Sequence, residues 1–288
     1  MPKPKISVII PSFRRSGLLY KATQSIHRGT FRSFEIITAT EKGPLVTIKN
    51  KAIKKAKGEI IVFTDDDCIA SPYWLEQIWK TFQDNPECSG VTGPTWVDPK
   101  IRNNRDLLKF HEGKGLLKSL YHMVILENKP WEFAKLYRSG ATSIGSNYQY
   151  YSLQEPHYQK ADYLEACNFA FRRDIVARMG AFDEIYGGCG DYAETDFSLQ
   201  IKRFEGNLIF NPRAIVYHNI NDNRTTISDA YTRMHNYMVF RKRWIPWNWR
   251  AVCNVLFLNG YWVYKAIETR QPSWLGGVKA TCKCLMGI

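Results

Sequence analysis

The sequence predicts an α/β protein: a mostly parallel sheet flanked by helices, followed by a helical C-terminal extension. Three observations predict it. Short apolar runs alternate with helical patterns in the first part of the chain, an order that builds parallel sheets through crossover helices. The acidic run Asp65-Asp66-Asp67 stands at the C-terminal end of the third apolar run, where open α/β sheets bind ligands. Beyond Asn219 the pattern changes to basic and aromatic helical segments.

Ile6 to Ile10 reads as a buried strand closed by Pro11, and Leu18, Leu19, Ala22 and Ile26 follow at helical spacing. Phe34 to Ile37 begins a second strand. A second helix is expected from Val46 to Ala56, with Ala52, Ile53 and Ala56 inward, lysines on the other side, and Gly58 ending it. Glu59 to Thr64 is the third strand. Ser71-Pro72 has the composition of an N-cap and an N1 proline, opening a helix that carries Trp74, Leu75, Ile78 and Phe82. Ser89 to Thr95 is a weak strand. From Pro99 to Lys160 the chain is rich in Tyr, Lys, Arg and Asn, with one helix expected over Leu107 to Leu126. Tyr163 to Phe171 reads as a strand, then a short helix ends at Gly180. A glycine loop at 187–190 leads into a helix over Asp191 to Phe204. Asn207 to Asn211 and Ala214 to His218 read as two strands, and two helices form the tail.

The chain has 288 residues, 44% apolar and 23% charged, which suits one large domain plus an appendage and excludes a disordered or fibrous chain. Basic residues outnumber acidic ones, 40 against 27, a net charge of +13 that favours polyanionic partners: nucleotide phosphates, nucleic acid or an anionic leaflet. The seven cysteines are scattered without a C-x-x-C pair, which indicates neither a disulfide framework nor a zinc module. No apolar signal region follows Met1 to Lys5. The apolar stretch Ala251 to Val263 is interrupted by Asn254, Asn259 and Gly260 and is shorter than the ~20 residues a spanning helix needs. A cytoplasmic protein is expected.

Adjacent carboxylates at a strand end repel one another, and a divalent cation relieves the repulsion. Oxygen ligands completed by water and phosphate suit Mn2+ or Mg2+. A solvated acidic turn leading into the Pro72 helix is the alternative.

Ser7 to Arg15, Phe34 to Ile37, Lys49-Asn50, Gly58 to Asp67 and Trp74-Leu75-Glu76 resemble, in order and spacing, the donor half of the family 2 glycosyltransferases. The resemblance resumes at Glu165 to Arg173, Gly180 to Glu184, Glu194-Thr195-Asp196 and Val216-Tyr217-His218, covering most of residues 5–218. It implies the GT-A fold, a Rossmann-like sheet whose D-x-D motif holds donor and metal, and transfer with inversion at the sugar carbon. The implied domains are a catalytic unit over 1–219, with a nucleotide-sugar half over about 1–98 and an acceptor half over about 99–219, and a basic, aromatic helical extension over 220–288.

By this resemblance Pro11, Phe13, Arg14, Lys49, Asn50, Asp65 and Asp66 line the donor site, Asp65 toward the ribose or base, while Asp67 ligates the metal. His218 is a second metal ligand or a diphosphate contact; its plain alternative is a partly buried polar residue. Many relatives carry an aspartate pair after the second strand, where this chain has Thr38-Ala39-Thr40-Glu41-Lys42, so Glu41 is the substitute expected at the nucleobase. UDP is the favoured donor nucleotide, with GDP or dTDP as alternatives. Inverting transfer needs a base to take the acceptor's proton. Glu194 falls where the family places that base, Asp196 and Asp191 being the next candidates. Asp191-x-x-Glu194 also fits a capping box, which would make the acids structural. Glu165 and Asn168 are assigned to the acceptor or donor sugar.

Residues 241–267 interleave cations, indoles and an apolar helix. That composition suits docking on an anionic membrane surface, at the cytoplasmic face, near a glycan or lipid-linked acceptor; it equally suits a helical layer packed on the catalytic unit. Three other functions remain open: nucleic-acid binding, which no motif supports, a nucleotidyltransferase of similar sheet architecture, and a sugar-binding relative without turnover.

Overall fold

Residues on successive strands alternate between two cores, and that alternation builds the layers. Ile6, Val8 and Ile10, with Ile60 and Val62, face one core, while Ile9, Ile61 and Phe63 face the other. Each such side chain, fully withdrawn from water, contributes about 1.5–3 kcal/mol. The computed structural model describes residues 3–204, 206–219 and 229–287. The first half contains β1 (Ile6–Pro11), α1 (Ser16–His27), β2 (Phe34–Ala39), α2 (Leu45–Lys55), β3 (Ile60–Phe63), β4 (Cys68–Ala70), α3 (Trp74–Asp84), β5 (Cys88–Thr92), β6 (Thr95–Val97), α4 (Arg102–Glu112) and α5 (Leu116–Val124). The second contains α6 (Gln149–Ser152), β7 (Gln159–Lys160), β8 (Phe169–Arg172), α7 (Arg173–Met179), α8 (Ala193–Arg203), β9 (Asn207–Phe210), β10 (Val216–His218), α9 (Asp229–Trp244), α10 (Trp249–Thr269) and α11 (Gly276–Met286).

The main sheet has the order β2-β1-β3-β8-β5-β9-β7, and a small sheet has the order β4-β10-β6. β1 lies parallel to β2 and β3, and β5 parallel to β9, whereas β8 runs antiparallel between β3 and β5 and β7 closes the edge antiparallel to β9. The mixed α/β sheet flanked by helices is the fold class expected. At Gly58 the chain turns into β3 against β1 so closely that an added Cβ would lie 2.5 Å from the Ser7 backbone nitrogen.

Some expected elements differ in extent, and α3 opens at Trp74 with Tyr73 as its N-cap rather than at Ser71-Pro72. The helix expected over Leu107 to Leu126 is two, α4 and α5. Gly113 leaves the helical region and Gly115 has φ 152, a conformation that glycine adopts at little cost. The strand expected from Tyr163 shortens to β8, because Glu165 to Asn168 folds into a reverse turn closed by the Asn168 N–H donating to the Glu165 carbonyl at 3.0 Å. Among the described residues the tail has three α-helices rather than two. They share a core of Met234, Tyr237, Met238, Val255, Trp262 and Trp274. Among the described residues no helix is long and apolar enough to cross a membrane.

Candidate active site

Strand register assembles the site at the end of β3. Phe63 pairs with Phe169 in antiparallel register, so two residues further along Cys167 comes opposite Asp65; the Cys167 thiol donates to Asp65 Oδ2 at 3.1 Å. β10 pairs antiparallel with β4, His218 facing Cys68, which sets the imidazole beside Asp67 with Nε2 3.4 Å from Oδ1. Asp65, Asp67 and His218 each offer a ligand atom within 4.8 Å of the others. Two carboxylate oxygens and an imidazole nitrogen are a donor set that fits Mn2+ or Mg2+. Burial alone would lower the His218 pKa, but the bond to Asp67 and the neighbouring Cys68 and Asp65 push it up to about 9.

Asp66 turns the other way. Its buried carboxylate accepts from Ser12 Oγ and Arg15 Nη1, both at 2.8 Å, and so fixes the loop after β1 that carries Phe13 and Arg14. Arg14 has φ 55, and its guanidinium lies 5.1 Å from the Phe13 ring centroid.

Behind the acidic run, Lys49 on α2 forms a buried ion pair with Glu194 Oε1 on α8. Lys49 Nζ lies 5.7 Å and 5.9 Å from the ring centroids of Phe63 and Phe169, which stack 4.8 Å apart. Burial opposes the ammonium charge, yet Glu194 and then Asp65 hold the Lys49 pKa above the ordinary lysine value. The glycine loop brings α8 to α2: Gly190 has φ 72, and a Cβ there would meet Val46 at 2.7 Å. Tyr192, also left-handed at φ 71, is the N-cap of α8 and makes no side-chain cap bond. The capping box is therefore not formed. Asp191 instead accepts from the Cys189 thiol at 3.0 Å and lies 3.6 Å from Arg233.

Residues 45–180 match the family described as Glycosyl transferase family 2. The chain thus resembles the family 2 glycosyltransferases over just under half of its length. It is 23% identical over 212 residues to glucosyl-dolichyl phosphate glucuronosyltransferase of Haloferax volcanii, covering 71% of this chain and 54% of that protein. The chain thus spans about half the length of the curated relative it matches. Among solved structures, GalNAc-T7 with UDP, GalNAc and Mn2+ aligns with TM-score 0.59 at 12% identity, covering 86% of this chain and 49% of that one. The mannosyltransferase PcManGT from Pyrobaculum calidifontis, in complex with GDP-Man and Mn2+, aligns with TM-score 0.54 at 13% identity, covering 99% of this chain and 88% of that one. The shared fold is GT-A.

The other residues singled out by sequence fall into two groups. Pro11, Phe13, Arg14 and Lys49 gather at the ends of β1 and β3 with Asp65 and Asp67. The rest are occupied elsewhere. The Asn50 amide donates to the Phe182 carbonyl at 2.8 Å and to Glu184 at 3.1 Å and accepts from Phe182 N–H, stapling α2 to the segment before the glycine loop. Glu41 is exposed and pairs with Lys51 at 3.0 Å and Lys55 at 3.7 Å. Asn168 is buried and joins three segments, accepting from Trp74 Nε1 and donating to the carbonyls of Pro94 and Ala214. Glu165 accepts from Ser146 and Tyr163, and burial raises its pKa against both bonds. Asp196, fully buried, accepts from Tyr186, Gln200, Arg243 and Trp244.

Two features escaped the sequence. One is Cys167, which stands between Asp65 and His218. The other is an open cleft of about 640 Å³ beginning at His218 and lined by Trp96, Asp98, Glu112, Tyr148, Tyr151 and Tyr217. Its walls come from β6, α4, α6 and β10, segments whose convergence no local pattern signals.

Proposed function

We propose that this protein transfers a sugar, with inversion, from a nucleoside diphosphate donor to an acceptor hydroxyl. The observation that carries the proposal is the convergence of Asp65, Asp67 and His218, with the Lys49–Glu194 pair directly behind them. Asp65, Asp67 and His218 would hold Mn2+ or Mg2+, which when bound neutralises the charge gathering on the departing diphosphate. Mn2+ accompanies the nucleotide in both aligned structures. Phe13 and Arg14, on the loop fixed by Asp66, receive the nucleotide; UDP is favoured, with GDP or dTDP as alternatives.

Glu194 is the base. Lys49 engages Oε1, and we assign the second oxygen to the acceptor's proton. We place Asp196 and Asp191 in supporting roles, since their carboxylates are already bound to α9 residues. The acceptor, a glycan or lipid-linked sugar, enters through the aromatic cleft beside His218, where ring faces suit sugar C–H groups.

We assign an anionic membrane surface, at the cytoplasmic face, as a further partner. Arg241, Arg243 and Trp244 do not contribute to it, because they are engaged within the fold: Arg241 is buried and the other two bond Asp196. Support comes instead from the outer stripe of α10, where Val252, Leu256, Val263 and Ile267 are exposed. Leu116, Leu117, Leu120 and Met123 on the adjoining α5 are exposed too, and Tyr121 and Phe257 join the two helices at 4.8 Å.

The test is a thermal-shift panel of UDP, GDP, dTDP and CMP with and without Mn2+. Ligands that bind only the folded state raise the melting temperature. A Mn2+-dependent rise with one diphosphate is expected; no rise with any nucleotide would leave a sugar-binding relative without turnover.

A further inference from the structure

His218 faces two donor sets. Its Nε2 lies 3.4 Å from Asp67 Oδ1, and its Nδ1 lies 3.9 Å from Cys167 Sγ. Cys68, Cys167 and His218 offer ligand atoms that all lie within 4.8 Å of one another, a second cluster sharing the imidazole with Asp65 and Asp67. We propose that Cys68, Cys167 and His218 form a binding site for a thiophilic divalent cation such as Zn2+, and that its occupancy withdraws His218 from the oxygen-rich site.

The chemistry of the two sets differs although they share a residue. Carboxylates select Mg2+ or Mn2+, whereas thiolates with an imidazole select Zn2+ or its soft relatives. Tetrahedral zinc, with Zn–S near 2.3 Å and Zn–N near 2.05 Å, needs sulfur and nitrogen about 3.6 Å apart. The Cys167 to His218 separation of 3.9 Å is already close to that. The backbone holds the three residues on separate segments that are hydrogen-bonded together: β4 pairs with β10 at Cys68 and His218, and Cys167 precedes β8. Asp65 Oδ2, 3.1 Å from Cys167 Sγ, stands beside the cluster. Cys68 is buried and Cys167 and His218 are half-buried, so the cation enters from the side where the cleft reaches His218. On binding, each S–H bond breaks as an S–metal bond forms, the imidazolium gives up its Nδ1 proton as the N–metal bond forms, and the three protons pass to solvent.

The binding claim stands without the transfer reading; only the competition claim rests on it. The probe is Cd2+, titrated into the metal-free protein and followed by its ultraviolet charge-transfer absorption with thiolates. Saturation at one ion per chain is expected. Cys167→Ser should weaken binding by at least about tenfold, the loss expected when a metal site is disturbed. Cys68→Ser should do the same, and the half-buried Cys167 keeps the test valid should Cys68→Ser fail to fold. Cys282→Ser, on the exposed face of α11, should leave the band unchanged. In turnover assays at fixed Mn2+, Zn2+ should depress the rate of the natural chain more than that of Cys167→Ser, each relative to its own zinc-free rate. A band that survives both substitutions, or vanishes with Cys282→Ser, overturns the site. Equal zinc sensitivity of the two chains overturns the competition. Loss of the nucleotide thermal shifts would count against the transfer reading alone.

Discussion

Removing one member of the Lys49–Glu194 pair separates its structural work from its chemical work. The two side chains are 4% and 7% exposed. Taking away one charge leaves the other buried without compensation, which costs about 3–5 kcal/mol. In a chain of this size each kcal/mol moves the melting midpoint by roughly 2–4 °C, so Glu194→Gln should melt roughly 6–20 °C lower. As the base, Glu194 should also account for about 10²–10⁴ in turnover. Lys49→Met should cost similar stability, because it strands the carboxylate. The double substitution Lys49→Met/Glu194→Gln should regain most of the stability and none of the turnover. Chemical denaturation and initial rates on the four chains give both quantities. Turnover within about twofold of the natural chain in Glu194→Gln would place the base elsewhere. Stability losses below about 1 kcal/mol in both single substitutions would mean that the pair is not buried.

Chelation should abolish turnover and added Mn2+ restore it; Asp67→Asn should erase the Mn2+ dependence of the nucleotide thermal shift and lower turnover by about 10²-fold or more. His111 Nδ1 lies 2.9 Å from His122 Nε2, and burial first, then His122 and Lys118, pull the His111 pKa down to about 4. Its folded value lies below its unfolded one, so this contribution to stability is full above the ordinary histidine pKa near 6.5 and is lost as pH falls toward 4. Melting temperature should therefore drop between pH 7 and 5 in the natural chain, and drop less in His111→Gln. Asn168→Ala strands Trp74 Nε1 and the carbonyls of Pro94 and Ala214 in the core, so urea denaturation should show a loss of about 3 kcal/mol or more.

The parts of the fold that were legible in sequence are those with local causes. β1, β3, α2 and α3 follow from their apolar period, and the place of Asp65 and Asp67 at a strand end follows with β3, whereas the Ser71-Pro72 punctuation misplaced the start of α3. Asn50 and Asn168 illustrate the limit. Both lie in blocks that resemble the family, yet whether such an amide meets a ligand or a backbone carbonyl depends on what folds over it. Here Phe182 and Ala214, far along the chain, occupy them. The antiparallel insertion of β8 was equally hidden, since its short apolar run carries no mark of direction, and with it the approach of Cys167 to Asp65. The engagement of Arg243 and Trp244 with Asp196 was hidden because basic and aromatic composition suits a membrane and a buried carboxylate alike.

α8 joins these observations. From a single helical turn Glu194 reaches Lys49 on α2, while Asp196 reaches Arg243 and Trp244 on α9. Residues two apart on a helix point in different directions, so the turn acts as a joint between the main sheet and the tail. A buried carboxylate cannot be left without its cation, which ties α9 to the sheet as firmly as Lys49 ties α2. The strained Tyr192 at the head of the same helix packs its ring on Tyr237 and Phe240 of α9, so the tail also braces the backbone conformation that presents Glu194. Under the proposed transfer the helical extension therefore helps to position Glu194, and whatever the outer face of α10 rests against acts on a helix layer fastened to it.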